Sequence, residues 1–108
     1  MISHLKIQEQ DVWEAWIEFD QHSNHFGTLY ISGEILASSG RFDARISVED
    51  TIYGRQLLLV LPERVEGRSR IREFLYSEAI QNPFQYNAIC IYAGDELLAR
   101  FGEIEILI

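Results

Sequence analysis

Residues 12–20 read VWEAWIEFD, and their side chains alternate with a period of two. Trp13, Ala15, Ile17 and Phe19 fall on one face; Glu14, Trp16, Glu18 and Asp20 fall on the other. Successive side chains of a strand point to opposite sides, so this segment reads as a β-strand with one buried face. The same pattern recurs through much of the chain and limits its fold more than any other feature. Residues 26–37 place Leu29, Ile31 and Ile35 opposite Thr28, Tyr30, Ser32 and Glu34. The polar link QHSNH between these two segments predicts a hairpin. Residues 41–49 set Phe42, Ala44, Ile46 and Val48 against Arg41, Asp43, Arg45, Ser47 and Glu49. Residues 57–61 form an unbroken apolar run, which suits a central strand covered on both faces. Pro62 ends it by removing a backbone donor.

A different period follows. Ile71, Phe74, Leu75 and Ala79 recur at 3-4 spacing, which predicts a helix over 68–81, with Gly67 or Ser69 as the cap and Asn82-Pro83 as the stop. Two further strands, residues 84–93 and 96–108, are joined by a Gly94-Asp95 turn. The apolar phase of the last one slips near Gly102, as a bulge there would cause. The expected fold is α+β and mostly antiparallel β, in the order β-β-β-β-α-β-β. It is a single curled sheet, an open barrel or half-sandwich, with one helix inserted late. Length fits one domain over residues 1–108, with roughly the first ten residues as a flexible arm. Apolar residues at 47 % and charged residues at 24 % belong to a globular chain rather than a disordered one.

Charge narrows the function classes. The net charge is −8, which argues against binding nucleic acid through a basic surface. No stretch approaches the roughly 20 apolar residues of a membrane span, and the N-terminus carries no apolar leader, so a cytoplasmic location is expected. Cys90 is the single cysteine, so neither an intramolecular disulfide nor a cysteine zinc cage is available. It lies among apolar residues in AICIY and reads as a small core hydrophobe. No nucleophile elbow, phosphate loop, dinucleotide fingerprint or zinc-protease motif occurs, so no catalytic residue, metal ligand or cofactor is assigned. Asp20, His22 and His25 have the donor chemistry of a zinc set, but their spacing matches no defined site and suits a solvated turn.

Two surfaces remain. The outward side of the early strands presents Glu14, Trp16, Glu18, Tyr30, Glu34 and Arg45, an acidic face with two aromatic anchors. Tryptophan and tyrosine are enriched at binding hot spots, and carboxylates favour a basic partner. The second is an arginine cluster, Arg64, Arg68 and Arg72, at the expected helix start, where guanidinium forks and the helix dipole would together suit phosphate or carboxylate. The chain therefore reads as a non-enzymatic binding module, docking a cationic protein or a second copy of itself through the acidic aromatic face. An anion- or phosphate-binding site at the arginines is the alternative.

Overall fold

The computed structural model describes residues 12–22, 24–38, 44–62 and 69–108, and among them every regular element is a strand. The strands are β1 (Glu14–Phe19), β2 (Gly27–Ser38), β3 (Arg45–Thr51), β4 (Gly54–Leu61), β5 (Ser69–Ile80), β6 (Ala88–Ala93), β7 (Glu96–Phe101) and β8 (Glu105–Leu107). They form two four-stranded mixed sheets, ordered β5-β2-β1-β8 and β3-β4-β6-β7. The expected single curled sheet with a helix is thereby corrected. The chain visits the sheets in turn, and their apolar sides share one core: Ile17, Leu29, Ile31 and Ile80 from the first sheet, Leu57, Leu59, Ile89 and Ile91 from the second.

The helix expected over 68–81 is strand β5, paired antiparallel with β2 along all twelve residues. The reason lies in Glu78. Within β5, Phe74, Tyr76, Glu78 and Ile80 share the inward side, while Glu73, Leu75, Ser77 and Ala79 are exposed. A carboxylate on the buried side breaks the period-two signal, and the apolar residues left over coincide with helical spacing. The Tyr86 hydroxyl donates to Glu78, 3.0 Å from each carboxylate oxygen, which offsets the cost of that placement. Leu75, assigned above to the helix's apolar stripe, is 65 % exposed.

The expected β1–β2 hairpin forms, with Trp16 opposite Tyr30. Trp13, just before β1, is buried, and its indole crosses above Gly33 of β2 to meet Phe74 of β5 at a centroid distance of 6.0 Å. Only a residue without a Cβ leaves room for that ring. In the second sheet β4 lies between β3 and β6, antiparallel to the first and parallel to the second. Leu57, Leu59 and Leu61 point into the core, while Leu58 and Val60 on the other side are half-buried. The hairpin at Gly94-Asp95 is present, but the bulge sits inside β7 rather than at Gly102. Ile91 faces Ala99 and Tyr92 faces Leu97, which leaves Leu98 as the extra residue and buries Leu98 and Ala99 in succession. At Gly102 the chain leaves the second sheet, and β8 then pairs parallel with β1 in the first.

Candidate binding surface

Register decides which side chains share the outer side of the first sheet. On β1 these are Glu14, Trp16 and Glu18, opposite Ser32, Tyr30 and Thr28 of β2. The Trp16 and Tyr30 rings stack with centroids 5.4 Å apart and planes 18° from parallel. An offset stack of this kind contributes about 0.5–1.5 kcal/mol beyond area burial and fixes both rings. Both residues remain half-buried, so part of each ring meets solvent. Glu105 of β8 lies opposite Trp16 on the other flank. One strand further out, Glu34 of β2 faces Glu73 of β5 directly. Glu14, Glu18, Glu34, Glu73 and Glu105 are all exposed. Like charges set opposite each other across a strand pair cost up to about 1 kcal/mol, a cost that a cation between them removes. Glu14, Glu34 and Glu73 also line an open groove of about 610 Å³, together with Val12, Ser32, Gly33, Phe74 and Leu75.

Arg45 does not join this group. The sequence places it with Glu14, Trp16 and Tyr30 on the outward side of the early strands, whereas β3 pairs with β4 in the other sheet. The arginine cluster is corrected too. Arg64 and Arg68 lie outside the described residues, and Arg72 is in β5 with its backbone opposite Ile35. From Ser69 onward the described backbone is a strand, so residues 69–80 supply no helix dipole to hold an anion. The alternative anion site loses its physical basis.

Around the first hairpin loop, Asp20 Oδ1 accepts the His22 backbone N–H at 2.9 Å, a side-chain-closed turn. Among the described residues no group of histidine, cysteine and acidic side chains is arranged to hold a metal ion. Cys90 is buried in β6, and burial pushes its thiol pKa up, with Arg100 acting in the opposite direction. Among the described residues no helix is long and apolar enough to cross a membrane.

The chain matches no family model, no curated protein and no solved structure, so its geometry alone carries the functional argument.

Sequence reasoning missed Glu73 and Glu105 as members of the outer side, because each depends on a strand pairing absent from local pattern. It also missed the trio of Glu78, Tyr76 and Tyr86. Burial raises the pKa of the Tyr76 phenol strongly, and the Glu78 carboxylate adds to the effect; burial likewise raises Tyr86, with Glu78 again contributing. Both phenols hold their protons more tightly in the folded chain than at the ordinary value of 10.0. Their contribution is therefore complete below that pH and is lost as pH climbs beyond it. Urea midpoints should fall between pH 8 and pH 11, each pH being about 1–2 units from that ordinary value. The fall should be smaller in the Tyr76→Phe, Tyr86→Phe double variant. An equal fall in both proteins would show that these phenols do not govern alkaline stability.

Proposed function

We infer that this chain is a non-enzymatic binding module that docks a cationic protein on the outer side of the β5-β2-β1-β8 sheet. The observation that carries the reading is the outward Trp16–Tyr30 stack among glutamates. Glu14 and Glu18 flank the tryptophan on its own strand, Glu105 lies across from it, and Glu34 and Glu73 line the adjoining groove. The described side chains on this side include no lysine or arginine. An aromatic pair held rigid by stacking loses little freedom on binding, which is what a hot-spot anchor needs. The carboxylates would steer a basic partner and select its orientation. The opposed Glu34 and Glu73 gain most from a lysine or arginine placed in the groove. A cytoplasmic setting fits a chain whose single thiol is buried and free.

The test compares immobilised wild type with Trp16→Ala and Glu18→Lys in capturing basic proteins from native lysate, washed at about 0.05 M and about 0.5 M salt. Capture should require low salt. Affinity for the recovered protein should weaken at least about thirtyfold in Trp16→Ala, the effect of removing a hot-spot aromatic. Glu18→Lys should slow association, and both variants should melt cooperatively. Equal capture by wild type and both variants sinks this reading.

A further inference from the structure

The sheet edges are unequally protected. A strand at an edge offers unpaired N–H and C=O groups to any other strand, and folded proteins normally blunt such edges. Here β8 is three residues long, β7 carries the bulge at Leu98, and β5 turns the Glu78 carboxylate inward. The fourth edge, β3, is blunted only by its charged residues: Arg45 and Glu49 on one side, and Asp50, near its end, on the side of Ile46 and Val48. It runs seven residues in unbroken register with β4, and it contains no proline, lysine or bulge. Among the described residues β4 is its only neighbour, and the strand is exposed from Arg45 to Asp50. Ile46 and Val48 lie on the same side as the buried Leu59 and Leu57 opposite them, yet they are 44 % and 49 % exposed. The first sheet does not cover them.

The order of residues in β3 says what would. About Ser47, Ile46 and Val48 stand one place to either side, and Arg45 and Glu49 two places to either side. An antiparallel copy turned about Ser47 sets Ile46 against Val48 and Arg45 against Glu49, each pair occurring twice. Apolar residues then meet on one side of the joined sheet and opposite charges on the other. Asp50, the remaining charge, is already held by Arg55, whose Nε donates to Asp50 Oδ1 at 2.9 Å. Backbone phase agrees. The Ile52-Tyr53 loop is flanked by the Thr51/Gly54 pair, and the pair flanking a two-residue hairpin loop is hydrogen-bonded. Odd-numbered residues of β3 therefore bond to β4. The even-numbered Ile46, Val48 and Asp50 direct their N–H and C=O groups to the open edge, where the copy would meet them.

We propose that β3 is a homodimer interface, pairing antiparallel with β3 of a second copy about a twofold axis at Ser47 to make one continuous sheet across both chains. Such an interface is isologous, and its occupant is this chain itself. It lies on the second sheet and leaves the outer side of the first free for its partner.

Sedimentation equilibrium of the full chain tests this. Wild type should sediment at twice the chain mass of 12.6 kDa. Arg45→Glu or Glu49→Arg, each creating two like-charge pairs, should raise the dimer Kd at least about tenfold, and the double reversal should restore it to within about threefold. Ser47 occupies a non-hydrogen-bonded pair at the axis, where Cα atoms approach to about 4.5 Å, so Ser47→Cys should form an intermolecular disulfide in a glutathione redox buffer. Wild type, whose thiol is buried, should not cross-link. The cross-link reads out the axis even where a charge reversal impairs folding. A wild-type monomer at concentrations up to about 1 mM overturns the proposal. So does failure of Ser47→Cys to cross-link, failure of the double reversal to rescue folded single variants, or a dimer lost in Trp16→Ala and indifferent to Arg45 and Glu49.

Discussion

Trp13→Ala should lower unfolding free energy by about 3–5 kcal/mol, as large aromatic truncations in a core do. A domain of this size holds only about 5–15 kcal/mol in total, so the variant should be marginal at physiological temperature. The indole links three consecutive strands of the first sheet: it enters from the start of β1, passes over Gly33 of β2 and meets Phe74 of β5. Its removal leaves a void that the sheet backbone cannot close. The converse change should be just as severe. A valine at Gly33 would occupy the space of the ring itself and force Trp13 out of the core. Because both substitutions act on the same volume, their costs should not add. Gly33→Ala should be strongly destabilising with tryptophan at position 13 and much less so in the Trp13→Ala background, by urea denaturation of all four proteins. Equal cost in both backgrounds would mean that the ring does not lie over Gly33.

The second large effect distinguishes neighbouring residues of β4. Leu59 is fully buried and faces the first sheet, so Leu59→Ala should cost about 2–5 kcal/mol. Leu58, one residue earlier, points to the other side and is half-buried. Leu58→Ala should cost about half as much or less, since the lost side chain was already partly in water and its space fills with solvent. Two layers with a single shared core require this asymmetry. Equal losses at both positions would instead mean a strand sealed on both faces, as the continuous apolar run of residues 57–61 suggests on its own.

That run shows where the sequence is legible and where it stops. Its residue types mark a strand, and β4 does lie inside a sheet, but hydropathy cannot say which face is deeper. The β1–β2 hairpin was readable because eight successive residues from Trp13 to Asp20 alternate and the link is polar. The Gly94-Asp95 turn was readable for similar reasons, since Gly94 adopts a φ of 58° that other residues avoid. Strand β5 was not readable. One inward carboxylate, Glu78, interrupts its alternation, and the tyrosine that makes this tolerable lies eight residues on, in a loop. Partition into two sheets was invisible for a related reason. Whether β3 pairs with β2 or β4 depends on where the chain crosses between layers, and no local pattern encodes that crossing. The outcome separated Arg45 from Glu14, Glu18 and Glu34. It also brought Glu73 and Glu105, distant in sequence, to the side that carries Trp16.

The seating of β8 beside β1 has a consequence for biosynthesis. Glu105–Leu107 pairs in parallel with Trp16–Glu18 of β1, so that edge of the first hairpin stays unpaired until everything between β1 and β8 has been synthesised. Until then β1 carries an open row of amide groups, with Ile17 and Trp16 on either side of it. Contacts between such distant segments form late and slowly. During that interval the unpaired edge is open to another chain on the same polysome, and transiently exposed strand edges of this kind are aggregation-prone.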